Sequence, residues 1–233
     1  MIGMVLMHDE SIFFGGWSLP PTLFRECFGP DYSYIDCNPL MPAFFDKLTI
    51  LDRSWPEILK NNLSLSDSKN YKLAGWSTGA ILAFALAALI PVTSLILISP
   101  TLSFCRREGY RHGTHPSVLR TMREHLYDDS DDVLSKFYRS CGFGDRFNPI
   151  KQYSPEQLNF GLHFLEQVNC TNMKISIPNA IIIHGLDDAI IPHRAGEMVA
   201  NACGSTVHTV QGGHAFFYNR ESTIAKYINQ NKT

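Results

Sequence analysis

The sequence predicts a mostly parallel, doubly wound α/β sheet with an all-helical insertion. Three observations carry this. Short β-branched and aromatic runs alternate with segments of helical apolar spacing over residues 1–100 and again from 173 to 233, the pattern of successive β-α-β units. Thr93-Ser94-Leu95-Ile96-Leu97-Ile98-Ser99-Pro100 is apolar almost without a break, as expected of a strand covered on both faces. Over residues 101–172 the strand signal stops and helical segments replace it. The expected organisation is therefore a core of residues 1–100 and 173–233 interrupted by a helical lid over 101–172.

Met4-Val5-Leu6-Met7 and Ile12-Phe13-Phe14 read as strands, with His8-Asp9-Glu10-Ser11 as the polar turn between them. Gly15-Gly16-Trp17-Ser18 ends the second strand, and Pro20-Pro21 opens a helix through Leu23-Phe24. Tyr32 to Asp36 is a further strand, closed by Asn38-Pro39. Ile50, Leu51, Trp55, Ile58, Leu59 and Leu63 place a helix over residues 50–65. From Tyr71 the chain gives a strand, a glycine-bracketed turn and an apolar helix from Ala80 to Leu89. Inside the insertion, helices are expected over Ser117–Leu126, Ser130–Cys141 and Ser154–Val168, the last opened by a serine cap and Pro155. Ala180–His184 and Val207–Val210 supply the last strands, and His193–Cys203 and Ser222–Asn229 the last helices.

The 233 residues suit one α/β domain carrying an insertion. Hydrophobic residues at 45% and charged residues at 18% are ordinary for a globular protein. A formal net charge of −2 gives no electrostatic reason to expect nucleic acid or a membrane surface as partner. Cys27, Cys37, Cys105, Cys141, Cys170 and Cys203 form no C-x-x-C pair, so buried, unpaired thiols in a reducing compartment are expected. The apolar start lacks a basic flank and a small-residue cleavage site, so no signal peptide is read. The longest apolar run, Gly79 to Val92, is too short to span a bilayer. A cytoplasmic monomer is the expectation.

Gly75-Trp76-Ser77-Thr78-Gly79 fits the G-x-S-x-G pattern, which holds a serine on a sharp strand-to-helix turn. Glycines two before and two after let strand and helix pass closely. A serine hydroxyl needs a base, and that base needs an orienting acid. With this elbow the chain order is serine, acid, histidine, and both partners belong in loops after late strands. Gly185-Leu186-Asp187-Asp188-Ala189-Ile190-Ile191-Pro192 and Gln211-Gly212-Gly213-His214-Ala215 are those loops. His214 is assigned as general base and Asp188 as the acid. Asp187 competes for the acid role, but Asp188 stands three after Gly185 and four before Pro192, the better fit to a G-x-x-D-x-x-[IV]-P loop. The remaining histidines, His184 among them, fall at the wrong place in this order and read as surface or core residues. None forms a metal-ligand spacing, and no organic cofactor is implied.

A tetrahedral oxyanion needs two N–H donors. Thr78, after the nucleophile, supplies one, and the Gly15-Gly16-Trp17 loop supplies the other through the Trp17 amide. The indole of Trp17 reads equally as pocket wall or as core. His8 offers a rival placement of this loop, without glycine.

These residues resemble the α/β-hydrolase superfamily, and the likeness covers essentially the whole chain. Within it the sequence is most similar to the esterases that release pimeloyl-acyl-carrier protein from its methyl ester in biotin synthesis. Gly16-Trp17-Ser18-Leu19, the elbow, Ser99-Pro100, Asp131 to Gly142 with Phe137-Tyr138 at its centre, Gly185 to Pro192 and Gly213-His214-Ala215-Phe216 carry the likeness. It implies that Trp17, Thr78 and the run Phe137, Tyr138, Arg139, Ser140 and Cys141 contact the acyl chain or its ester, beneath a helical lid. It also implies an ester substrate, carried on an acidic acyl carrier protein that would dock on basic residues of the lid rim such as Arg120, Arg123 and Arg139. The chain departs from the family in placing Gly15-Gly16 where His-Gly usually precedes the tryptophan. Alternatives on the same residues are a thioesterase, a lyase of the menaquinone-pathway type, and a non-catalytic receptor for a small ligand.

Overall fold

Parallel strands need crossovers, and the helical segments between the predicted strands provide them. The computed structural model describes residues 9–45, 54–144, 152–177, 179–218 and 221–230. Strands β1 (Glu10–Phe14), β2 (Tyr32–Ile35), β3 (Tyr71–Trp76), β4 (Val92–Ile98), β5 (Ile181–Gly185) and β6 (Val207–Val210) form a sheet of order β2-β1-β3-β4-β5-β6. Every pairing among them is parallel. The winding goes from β1 out to β2, returns across β1 to β3, and then proceeds outward. Its direction reverses between β1 and β3, where the carboxyl ends of an open α/β sheet leave a crevice. Gly15 follows β1 and Ser77 follows β3, so both glycine-marked turns open into that crevice.

The helices are α1 (Arg25–Phe28), α2 (Pro42–Phe45), α3 (Trp55–Asn62), α4 (Thr78–Leu86), α5 (Pro116–Asp128), α6 (Ser130–Cys141), α7 (Pro155–Gln167), α8 (His193–Cys203) and α9 (Glu221–Gln230). Every residue of α4 is buried, against β1, β3, β4 and α3. Ile81, Leu82, Phe84 and Leu86 each gain about 1.5–3 kcal/mol from leaving water, which anchors the turn that bears Ser77.

Between β4 and β5 the chain forms α5, α6 and α7. Asp129 caps α6 by accepting from the Asp132 amide at 2.9 Å, and Gly142, at φ 93°, ends it. Ser154 and Gln157 form a reciprocal capping box at the start of α7. Glu166 of α7 pairs with Arg120 at 2.8 Å and Arg123 at 3.0 Å, both on α5. Ahead of α5 the segment is not helical: Cys105 bridges Thr114, and Arg107 bridges Tyr110.

Several boundaries differ from expectation. Glu10 and Ser11, assigned to a turn, extend β1 opposite Tyr71 and Lys72, and Lys69 neutralises Glu10 at that exposed strand end. The helix after Pro20 begins as a 3-10 turn, Pro21–Phe24, and a second such turn spans Asn38–Leu40. The apolar helix expected to reach Leu89 stops at Leu86. Met4–Met7 and Ile50–Arg53 lie outside the described residues. All six cysteines are buried and free. No helix among the described residues is long and apolar enough to cross a membrane.

Candidate active site

Ser77 adopts φ 55° and ψ −116°, a conformation that costs a non-glycine residue on the order of 1–3 kcal/mol. Its neighbours enforce it. A Cβ on Gly75 would lie 2.3 Å from the Gly79 carbonyl oxygen, and one on Gly79 would lie 2.2 Å from that of Phe14. Only glycine at both positions lets α4 leave β3 this steeply and pass over the end of β1. The hydroxyl-bearing residue thus stands at the amino end of α4, where the first amides have no partner within the helix.

The loops after β5 and β6 interlock. The Asp187 amide donates to the Gly212 carbonyl at 2.9 Å, and a Cβ on Gly185 would strike the Gly213 oxygen at 2.4 Å. This contact brings His214 Nδ1 to 2.7 Å from Asp188 Oδ2, with both side chains fully buried. A carboxylate only accepts, so Nδ1 carries the hydrogen and Nε2 of the neutral ring is left as an acceptor. That Nε2 is buried and has no hydrogen-bond partner among the described residues. The His214 carbonyl accepts from the Trp76 indole at 3.1 Å and from Ser99 Oγ at 3.3 Å, which mounts the imidazole beside the residue preceding Ser77. No hydrogen bond joins Ser77 to His214 among the described residues; in resting hydrolytic sites this contact often tightens only with substrate.

Asp188 Oδ1 accepts the Ile190 and Ile191 amides, each at 2.8 Å. Burial alone would raise its pKa, but the adjacent His214 and His184 outweigh burial and hold the carboxyl well below the usual carboxylate range. Asp187 faces outward and bonds Gln211, so the two neighbouring acids have separate environments and only Asp188 meets His214. His184, read from sequence as a surface or core residue, is fully buried. Its Nε2 lies 2.8 Å from the Ile191 carbonyl and 3.2 Å from Asp188 Oδ2. Both neighbours accept, so Nε2 carries the hydrogen and steadies the turn that holds Asp188. Its place at the carboxyl end of β5, next to Gly185, was the available signal.

The Trp17 and Thr78 amides flank the same crevice, and among the described residues neither donates to another backbone group. The Trp17 indole is both wall and core. It is 3% exposed, donates through Nε1 to the Leu158 carbonyl at 2.9 Å, and meets Phe137 edge-on at 4.9 Å. It also borders a cavity of about 660 Å³ that reaches Ser77 and Thr78 and runs beneath α5, α6 and α7.

Of the run Phe137–Cys141, Phe137 and Ser140 line this cavity, together with Val133 and Lys136. The spacing 133, 136, 137, 140 is one face of a helix. Tyr138, Arg139 and Cys141, expected beside the substrate, point elsewhere for that reason. Tyr138 is buried with its hydroxyl donating to the Ser18 carbonyl at 2.8 Å. Arg139 is exposed and off the cavity wall. Cys141 is buried, its carbonyl accepts from the Ala215 amide at 2.8 Å, and burial pushes its thiol pKa well up. Five successive helical residues cannot share one wall.

A parallel sheet with this strand order, a strained serine after β3 and a buried Asp–His pair at its far end define a protein of the α/β-hydrolase fold, as the solved structures agree. An esterase from Exiguobacterium antarcticum superposes with a TM-score of 0.74 at 16% identity, covering 97% of this chain and 92% of that one. Among curated proteins, the chain is similar to the pimeloyl-[acyl-carrier protein] methyl ester esterase of Xylella fastidiosa, 26% identical over 161 residues, which is 61% of this chain and 63% of the relative. It is also similar to the protein of the same name from Nitrosomonas europaea, 28% identical over 143 residues, 54% of this chain and 56% of that one. The match therefore spans less than two thirds of the length of these relatives. No family model matches the chain.

Proposed function

We propose that the protein is a serine carboxylesterase that cleaves an acyl methyl ester through a covalent acyl-enzyme. The observation that carries the reading is the buried His214, oriented by Asp188 through Nδ1 and left with an unpartnered Nε2, tied through its carbonyl to Trp76, the residue before the serine on the strained elbow. In this mechanism Ser77 Oγ attacks the ester carbonyl while His214 Nε2 takes its proton. The Trp17 and Thr78 amides stabilise the oxyanion. The tetrahedral species collapses, and the imidazolium returns the proton to the departing alcohol. Water then attacks the acyl carbonyl as His214 removes its proton, and the imidazolium returns that proton to Ser77 Oγ as the carboxylic acid leaves. Asp188 keeps the imidazole in the required tautomer and offsets its transient charge.

The cavity beneath the three inserted helices takes the acyl chain, with Phe137, Val133, Leu162 and Leu165 as its apolar walls. In this reading residues 101–172 are a lid over the site. The names of the relatives support a pimeloyl chain on an acyl carrier protein as the substrate and biotin synthesis as the setting. The carrier docks on the basic rim of the lid.

Two measurements test this. A fluorophosphonate probe should label the protein at Ser77 and fail to label Ser77→Ala. Turnover of pimeloyl methyl ester, free and carrier-bound, should fall by at least about a thousandfold in the same variant. Labelling elsewhere, or substantial hydrolysis by Ser77→Ala, would remove the serine from its role. A preference for thioesters over methyl esters would redirect the substrate assignment.

A further inference from the structure

An oxyanion donor works only if its N–H is aimed before the reaction begins. The turn bearing Trp17 is held by hydrogen bonds to five backbone groups on either side of that N–H. The Gly15 amide donates to Ile35 at 3.0 Å, and the Gly15 carbonyl accepts from the Cys37 thiol at 2.8 Å. The Gly16 carbonyl accepts from Asn38 Nδ2 at 3.4 Å, and the Ser18 amide donates to Asn38 Oδ1 at 2.9 Å. The Ser18 carbonyl accepts from the Tyr138 hydroxyl at 2.8 Å.

Asn38 is 1% exposed and its carboxamide straddles residue 17. In a trans peptide the carbonyl and the following N–H point in opposite directions from one plane. A hydrogen bond to the Gly16 carbonyl therefore also sets the direction of the Trp17 N–H, away from Asn38. The orientation of the carboxamide follows from its partners: Nδ2 faces the acceptors Gly16 O and Asp36 Oδ1, and Oδ1 faces the Ser18 donor. Asp36 is braced in turn by the Tyr153 hydroxyl at 2.7 Å. Ser18 sits at φ 63°, a strained backbone that persists only when its surroundings over-determine it. Asn38 on one side and Tyr138 on the other provide that restraint.

We infer that Asn38 and Tyr138 are positioning residues for the oxyanion donor, Asn38 setting the Trp17 peptide plane and Tyr138 tying the turn to α6. The inference rests on the esterase reading above. It gives Tyr138 a role through the backbone rather than through contact with the acyl chain, and makes the seating of α6 a condition for an aimed donor.

The test uses a small chromogenic ester, p-nitrophenyl butyrate, with active sites counted by fluorophosphonate burst so that misfolded protein does not enter the rate. Asn38→Ala should lower kcat by about tenfold to a hundredfold with KM within about twofold. Tyr138→Phe, which keeps the ring and removes one hydroxyl, should lower kcat by about threefold to tenfold on the same footing. Each variant should weaken a trifluoromethyl ketone, whose hemiketal places an oxyanion in the hole, in proportion to its loss of kcat. The matching secondary alcohol, which has no oxyanion, should bind as before. A purely structural role would not separate those two ligands. Should Asn38→Ala fail to fold, Asn38→Ser and Tyr138→Phe carry the same comparison. Turnover per active site within about twofold of wild type in the folded variants, or equal weakening of ketone and alcohol, overturns the inference while leaving the esterase reading intact. A wild-type protein that hydrolyses no ester and takes no probe overturns both.

Discussion

At the scale of the residue, the site depends on one carboxylate held ionised in a buried place. Asp188 is surrounded by donors, and its folded-state pKa is depressed below the ordinary value. A depressed acid contributes stability that is fully present above its unfolded pKa, about 4 for aspartate, and is lost as the pH falls toward the folded value. Urea midpoints of the wild type should therefore drop on acidification below about pH 4. Asp188→Asn should be less stable at neutral pH, and the gap between the two proteins should narrow as the pH falls. Parallel pH profiles would show that Asp188 makes no such contribution. The same substitution should cut turnover by about a thousandfold or more, because the amide can present a donor to Nδ1 and favour the wrong tautomer.

At the scale of the element, helical period decides which side chains of the inserted helices face the cavity. Val133, Lys136, Phe137 and Ser140 of α6 share the cavity face, while Tyr138 and Cys141 turn toward the core. Replacing Ser140 by Trp should fill part of the cavity without touching Ser77. Esters of long acyl chains should then lose about tenfold or more in kcat/KM, and acetate esters should keep theirs. Equal losses across chain lengths would mean that the acyl chain does not pass along α6. Trp17 couples this insertion to the core, since its indole lies between Phe137 of α6 and Leu158 of α7. A Cβ on Gly161 would come within 2.4 Å of the Trp17 ring, so α7 can lie close only because that position has no side chain.

At the scale of the whole molecule, the question is where a carrier-borne substrate would approach. Arg120 and Arg123 already share Glu166, which spends part of the charge that a basic rim would offer. Arg120 engages Glu166 through Nε and its side chain remains 63% exposed, leaving the outer edge of its guanidinium open to an acidic partner. Arg120→Glu should therefore slow hydrolysis of a carrier-bound ester by about threefold to tenfold at low salt and leave the free methyl ester unchanged. The deficit should shrink as ionic strength rises. An identical response of free and carrier-bound ester would place the docking surface elsewhere.

Much of the fold, the strained turn at Ser77 and the pairing of Asp188 with His214 were legible in the linear chain, because strand–helix alternation, glycine-bracketed turns and loop spacing are local properties of the sequence. The helices His193–Cys203 and Ser130–Cys141 could be delimited for the same reason: their apolar spacing is local, and Gly204 and Gly142 end them directly after the last turn. The chain alone did not reveal that Asn38, read as the end of a strand, reaches back over Trp17, or that His184 meets the acid, or that Tyr138 turns away from the cavity. Those facts are long-range. They depend on how β1, β2 and β5 register in the sheet and on which face α6 turns inward, and such relations arise only when distant segments compete for the same buried space.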